Sequence, residues 1–209
     1  SRSSAASDVY KRQVVGGGIS GIISAKLSAE KGLDTILIDD KSFLGGSTIY
    51  QENECYKINS VNSNKWLANE IESLKNYPNL LIKNRTSLAA FHGYNYLLAR
   101  ENLTDHLSIN ERKGKVRQRL WKIRAKKVII ASGSIERPLI FSNNDRPGII
   151  LSSSIKKYID YYGVKTGENI SLFTNNDSAY ETAISLYKSG VKVNVIAVSY
   201  THLRAHETL

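Results

Sequence analysis

Val14-Val15-Gly16-Gly17-Gly18-Ile19-Ser20-Gly21 reads as the end of a β-strand passing through a GxGxxG turn into a helix. In such a turn each glycine has a mechanical role: Gly16 permits the tight bend, Gly18 lets backbone amides approach a pyrophosphate, and Gly21 allows helix to pack closely on strand. Ile19 and Ser20 open the helix, where N–H groups without intrahelical partners and the positive end of the macrodipole favour a phosphate. The spacing of Ile22, Ile23, Ala25, Leu27 and Ala29 predicts a helix over 19–31, stopped by Gly32. Thr35-Ile36-Leu37-Ile38 has the uninterrupted apolar form of a strand buried on both faces of a parallel sheet, and it ends in Asp39-Asp40. Strand, helix and strand make a βαβ unit.

Asp39, 18 residues beyond Gly21, stands where an acid accepts hydrogen bonds from ribose hydroxyls; an acid there also argues against a 2′-phosphate, and so against NADP. Asp40 shares the strand end. Gly45-Gly46-Ser47 follows at the carboxyl edge of the sheet, where ligands dock in such folds, and Ala131-Ser132-Gly133 is a second small-residue turn after a later strand. The candidate cofactor contacts are therefore Gly16, Gly18, Ile19, Ser20, Gly21, Asp39, Asp40, Gly45, Gly46, Ser47, Ser132 and Gly133. NAD is the expected cofactor and FAD the alternative, because both use the same pyrophosphate turn and ribose acid. The competing reading is a glycine-rich turn that holds no nucleotide.

Further along, residues 41–63 read as polar loop, and 64–76 as a helix with Trp66, Leu67, Ile71 and Leu74 on one stripe. Leu80-Leu81-Ile82 reads as a third short strand. Residues 87–91, 94–101 and 119–124 have the style of antiparallel strands, and 127–131 returns to the buried parallel form. After a loop over 132–148, Ser152 is expected to cap a helix reaching Tyr162. A second βαβ-like unit follows, with strand 169–174, helix 177–189 and strand 191–198. The expected organisation is a first dinucleotide-binding lobe over 14–150 and the start of a second over 151–198. The fold class is α/β, Rossmann-like and three-layered, with a parallel sheet carrying an antiparallel β insert.

The 209 residues are 41% hydrophobic and 23% charged, a globular composition without an apolar run of membrane-spanning length. One cysteine, Cys55, excludes an internal disulfide or a CxxC redox pair, and points to a reducing, cytoplasmic setting. Methionine is absent, and residues 1–13 and 199–209 differ in style from the regions they flank. Both ends read as non-native, adapter-like sequence around a fragment. The net charge of +10 is concentrated in 111–127, where Trp121 is the sole aromatic. A nucleic-acid groove would interleave several stacking aromatics with its cations, so this stretch is expected to be a solvated turn. No metal-ligand spacing or Ser–His–Asp order emerges, and the catalytic residues are left unassigned.

The segments Phe91-His92-Gly93-Tyr94-Asn95-Tyr96, Leu103-Thr104-Asp105-His106-Leu107, Arg119 to Lys126, Gly133 to Pro138, Asn143 to Gly148 and Phe173 to Tyr180 resemble the alpha subunit of heterotetrameric sarcosine oxidase, whose relatives include opine oxidase and hydrogen cyanide synthase subunits. The resemblance covers nearly all of 14–198. It implies a flavoprotein oxidoreductase acting on the CH–NH group of a small amine, with FAD on the beta subunit and FMN at the alpha–beta boundary passing electrons to oxygen. It further implies NAD bound to alpha without turnover, and beta, gamma and delta subunits as partners. Nucleic acid and membrane are not expected partners, and the fragment alone is expected to be inactive.

Two features limit that transfer. As a fragment, the stretch is expected to hold neither the family's folate-binding region nor an N-terminal ferredoxin-like portion, and the second βαβ turn, Thr174-Asn175-Asn176-Asp177-Ser178-Ala179-Tyr180, has no glycine, so its side chains are expected to crowd a pyrophosphate. Asp105-His106 reads either as a proton relay or as a structural pair. Glu136-Arg137 and Asp145-Arg146 either position a ligand or partner, or order their own loop. The alternatives to an oxidase subunit are a self-contained FAD/NAD-dependent pyridine-nucleotide oxidoreductase, which needs a second glycine motif, and a non-catalytic nucleotide-binding scaffold.

Overall fold

A computed structural model of the chain describes residues 8–50 and 57–199. The described residues divide into two compact units, one of residues 8–49 and 57–133, the other of Tyr50 and 134–199. The first begins with β1 (Asp8–Val15), α1 (Ile19–Glu30) and β2 (Thr35–Ile38), the βαβ arrangement expected around the glycine turn. A 3-10 turn over Gly46–Tyr50 and a small hairpin of β3 (Lys57–Ile58) and β4 (Val61–Asn62) occupy part of the segment expected to be loop. Next come α2 (Ser63–Ser73), β5 (Leu80–Lys83), β6 (Thr86–His92), β7 (Tyr96–Asn102), the short α3 (Ile109–Arg112) and β8 (Gln118–Ile130). α2 starts at Ser63 because the Asn62 side chain accepts from the Asn64 and Lys65 amides at 3.0 and 3.3 Å, supplying the cap.

The sheet order is β5-β2-β1-β8-β7-β6, with parallel pairing from β5 to β8 and antiparallel pairing among β8, β7 and β6. β8 is the main departure from the sequence expectation. The segments read as two strands, 119–124 and 127–131, are one strand of 13 residues, antiparallel to β7 and parallel to β1. Nothing between them is a turn former. The apparent break is a change of face: Ile123 and Ala125 are buried, Lys126 and Lys127 are both exposed, and Val128 then turns back onto the core. β1 also begins earlier than its composition suggests. Residues 8–13, set apart above as adapter-like, are strand, with Asp8 in register with Ile123 and Arg12 with Thr35. The rest of that segment, 1–7, and residues 200–209 of the other lie outside the described residues, as does Cys55.

One face of the sheet packs Val14 and Leu37 against Ile22 and Ala25 of α1 and Leu67 of α2. The other joins Val15, Ile36 and Ile38 to Leu97, Ala99 and Ile123, so β1 and β2 share a core with the antiparallel strands. On α1 the buried residues are Gly21, Ile22, Ala25, Ser28 and Ala29, whereas Leu27, expected among the apolar contacts, is 51% exposed. Ser28 is tolerated inside because its hydroxyl donates to the Ser24 carbonyl at 2.7 Å.

Gln13 breaks the pattern. It is fully buried beside Ile36 and Val128, and neither atom of its amide has a hydrogen-bond partner. An unpaired buried amide costs about 1–3 kcal/mol relative to a satisfied or apolar site. Gln13→Val, close in volume and suited to a strand, is expected to stabilise the first unit by about 2 kcal/mol, measured by chemical denaturation. An unchanged or lower midpoint would mean that the amide has a compensating partner.

The second unit contains α4 (Ser152–Asp160), β9 (Asn169–Thr174), α5 (Ser178–Lys188) and β10 (Lys192–Val198). β9 and β10 pair in parallel, and Ile155, Leu172, Leu186 and Val191 form their core. Ser152 does not cap α4. The cap position is Leu151, and the Ser152 hydroxyl lies 2.7 Å from the Thr182 hydroxyl. Glu136 supplies the acceptor instead, taking the Ser152 and Ser153 amides at 3.2 and 2.7 Å. This gives Glu136 a loop-ordering role, with negative charge at the positive end of the helix.

Candidate dinucleotide site

The turn between β1 and α1 is built on backbone contacts that leave no room for side chains. Gly16 has φ +105°, and a Cβ there would run into the carbonyl of Ala131, which itself follows β8. A Cβ on Gly21 would overlap the Gly16 carbonyl oxygen, because the first turn of α1 lies directly on the strand end. The Gly16 amide donates to the Ile38 carbonyl at 2.9 Å and the Ala131 amide to the Val15 carbonyl at 2.7 Å, so three strand ends fix the turn.

Asp39 closes it. Its side chain is buried at the end of β2; Oδ2 accepts from the Gly17 amide at 2.5 Å and Oδ1 from the Lys41 amide at 2.8 Å. Each carboxylate oxygen has two acceptor positions, so both keep capacity for a further donor. Asp40 differs: it is exposed, and its carboxylate pairs with Lys41 Nζ at 3.1 Å. Beyond it, the Gly45 amide donates to the Gly17 carbonyl at 2.7 Å, and a Cβ on Gly46 would come within 2.8 Å of the Gly18 Cα. A Cβ on Gly18 would meet only Gly46 Cα at 3.9 Å, so the approach to this backbone is otherwise open.

α1 starts at Gly18 with no side-chain cap and no acid in its first turn. Its first amides are available to an anion, as helix starts are wherever no side chain takes them. Gly16, Gly18, Ile19, Ser20, Gly21, Asp39, Gly45 and Gly46 thus converge on one sheet edge. Ser47 is exposed at the start of the 3-10 turn. Ser132 adjoins Gly16, whereas Gly133 is exposed with nothing within 4 Å of an added Cβ. The Gly17–Asp39 hydrogen bond was not among the sequence expectations. Its signal was the middle glycine of three, for which the GxGxxG pattern assigns no role.

The second turn is arranged oppositely. Asn176 Oδ1 accepts from the Ser178 amide at 2.9 Å and from the Ser178 hydroxyl, while the Thr174 hydroxyl takes the Asn176 amide at 3.1 Å. The Ser178 amide, the first of α5, is therefore already taken by the turn's own side chain, and the turn has no glycine to open its backbone to a phosphate.

Asp105 is no relay. Its carboxylate accepts from Arg117 Nε and, at 3.0 Å, from Gln118, and the Arg117 hydrogen bond holds its pKa below the usual carboxylate range. A lowered pKa means that this interaction stabilises the fold above the ordinary carboxylate range and is lost as pH falls through the lowered value. A carboxyl-carbon NMR titration is expected to give Asp105 a midpoint below that of a free aspartate, and Arg117→Gln to bring it back up. An ordinary midpoint in the parent chain would refute the pairing in solution. Among the described residues no cluster of three or more metal-ligating side chains occurs, and no helix is long and apolar enough to cross a membrane.

A βαβ start with a glycine turn, a buried acid at the second strand end and an antiparallel insert on a parallel sheet define an α/β, Rossmann-like fold, and residues 14–64 match the NAD(P)-binding Rossmann-like domain family. The chain is 35% identical over 183 residues to the sarcosine oxidase subunit alpha of Corynebacterium sp. (strain U-96), covering 88% of this chain and 19% of the relative. To the same subunit of Rhizobium meliloti (strain 1021) it is 32% identical over 186 residues, 89% of this chain and 18% of the relative. The chain thus spans about a fifth of the length of these curated relatives. Among solved structures it is similar to L-proline dehydrogenase from P. horikoshii, with TM-score 0.70 and 25% identity over 91% of this chain and 36% of the other. Lactococcus lactis thioredoxin reductase shares the fold, with TM-score 0.57 and 17% identity over 91% of this chain and 56% of the other.

Proposed function

We propose that the chain is the dinucleotide-binding part of a multi-subunit, flavin-dependent amine oxidase of the sarcosine oxidase alpha type. Dinucleotide binding is carried by the buried Asp39 carboxylate, held by the Gly17 amide beside the uncapped start of α1, and the oxidase type is supported by the 35% identity to a sarcosine oxidase subunit alpha. The residues present fit an adenosine diphosphate group: the Gly16, Gly18 and Gly21 turn and the Ile19 and Ser20 amides would hold its pyrophosphate, and Asp39, with acceptor positions to spare, would take hydrogen bonds from its ribose. Gly45, Gly46 and Ser47 line the adjoining edge, Ser132 and Gly133 flank it, and Asp40 is the weakest contact because Lys41 engages it. A bound nicotinamide dinucleotide would supply a fixed adenine–ribose anchor and a redox-capable ring. This chain's residues bind and orient it and remove no proton from substrate.

The division into a first lobe over 14–150 and the beginning of a second over 151–198 belongs to the same proposal. So do oxidation of a CH–NH donor by the parent complex, FMN at a subunit boundary, the beta, gamma and delta partners, a cytoplasmic setting and the inactivity of this piece alone. The second turn, without a glycine and with its Ser178 amide already accepted by Asn176, disfavours a self-contained pyridine-nucleotide reductase, which needs a second phosphate-binding turn.

The test is to purify the chain with its partner subunits, release the nucleotides and weigh them, then titrate NAD and FAD calorimetrically into the parent and into Asp39→Ala. NAD is expected, at one per chain. A yellow cofactor held by this chain alone would replace NAD with FAD, and no heat from either would end the proposal.

A further inference from the structure

The hairpin Phe91-His92-Gly93-Tyr94-Asn95-Tyr96 and the basic stretch 111–127 take no part in the dinucleotide site, yet strand register brings them to one sheet face. Its cross-strand rows are His92–Tyr96–Arg124, Ala90–Leu98–Lys122 and Ser87–Arg100–Leu120. The alternate residues Leu97, Ala99 and Ile123 are buried in the core, so these rows point the other way. Arg100, Lys122, Arg124 and Lys126 are exposed there; Arg124 stands 5.6 Å from the Tyr96 ring, and Leu120 is 57% exposed.

Residues 86–130 contain ten Lys and Arg against three Asp and Glu, and all three acids are engaged elsewhere. Glu101 is buried on the opposite face, accepting from Trp121 Nε1 at 2.7 Å and pairing with Lys83 and Arg119. Asp105 pairs with Arg117, and Glu111 closes a capping box with Ser108. Among the described residues no carboxylate neutralises the face. At its tip Tyr94 and Asn95 have φ +57° and +54°, a backbone region that side chains rarely adopt, and the Tyr94 ring is fully exposed. Asn95 is tied down by its side-chain amide, which donates to the Lys126 carbonyl at 3.0 Å. A rigid turn therefore presents one aromatic ring to water at the edge of a cationic sheet.

We infer that this face docks an acidic surface of a partner protein subunit, with Tyr94 as the anchor and Arg100, Lys122, Arg124 and Lys126 as the complementary charges. The inference rests on the proposal that the chain works within a multi-subunit assembly. Exposed aromatics and arginine around a small apolar patch (Ala90, Leu98 and Leu120) are the composition of a protein–protein hot spot. A polynucleotide track would instead string several stacking rings along its cations, and in these rows the rings are confined to the hairpin end, at His92, Tyr94 and Tyr96.

The test uses the complex of the chain with its partner subunits, at low and moderate salt, in three forms: parent, Lys122→Glu/Arg124→Glu and Tyr94→Ala. Bound nucleotide and thermal midpoint are read on each. Charge reversal is expected to weaken assembly by about tenfold or more and to remove most of its salt dependence. Tyr94→Ala is expected to weaken it by about tenfold with the salt dependence kept. Nucleotide content should be unchanged in both, and Lys122→Gln/Arg124→Gln serves if charge reversal impairs folding. Assembly indifferent to all these changes would overturn the inference. So would tight binding of a single-stranded oligonucleotide by the parent chain that the charge variants lose. A parent complex without nucleotide but with the expected assembly defects would sink the dinucleotide proposal and leave the docking face standing.

Discussion

Replacing Gly21 with alanine is expected to cost the first unit its stability rather than merely its ligand. The added methyl would sit inside the van der Waals envelope of the Gly16 carbonyl oxygen, and that oxygen is backbone, unable to swing aside. Either α1 lifts from the ends of β1 and β8, or the turn deforms where the Gly16 and Ala131 amides hold it. Forced overpacking typically costs 1–3 kcal/mol and occasionally more; with backbone on both sides, about 3 kcal/mol or an outright failure to fold is expected. Denaturant unfolding followed by Trp66 and Trp121 fluorescence reports it, since both residues pack against the cores of the first unit. Full stability in Gly21→Ala would mean that helix and strand do not meet as described.

Asp39→Ala is expected to have the largest effect on binding. It removes the acceptor for a bound ribose and also orphans the Gly17 amide that organises the turn. Hydrogen bonds to a charged acceptor are worth about 1.5–3 kcal/mol each, so nucleotide affinity should fall by about a hundredfold or more. Asp39→Asn is a sharper probe. An amide offers one accepting oxygen where the carboxylate offers two, and in the parent both oxygens already take a backbone N–H, from Gly17 and Lys41. The asparagine variant should therefore also bind worse, by about tenfold or more, with a smaller loss of stability than in the alanine variant. Unaltered calorimetric affinity in both would remove Asp39 from the site.

Residues 14–40 were largely legible because their constraints are local. A strand end, glycines at fixed offsets, an amphipathic helix and an apolar run ending in acid each leave a short-range mark. What escaped depended on contacts distant in sequence. β8 was read as two strands because the double exposure of Lys126 and Lys127 mimics a turn, and only its neighbours β1 and β7 reveal one continuous ladder. Ser152 has the right residue type for a cap, but Glu136, 16 residues earlier, takes the amides. Residues 8–13 lack a regular apolar period: Tyr10 packs against the core and Gln13 is buried in it, and pairing with β2 and β8 places the strand. Gln13 is the cost of that placement.

One strand serving both parts of the sheet also has a kinetic consequence. β1 lies between β2 and β8, and its pairing with β8 joins residues as far apart as Asp8 and Ile123. During synthesis the βαβ start can collapse early, yet its central strand keeps one raw edge until residue 130 has left the ribosome. Closing so long a loop before any reward arrives is slow, and an unsheltered edge invites pairing with other chains. Nascent chains should therefore need a holding chaperone, or dilution, until β8 has emerged and closed that edge.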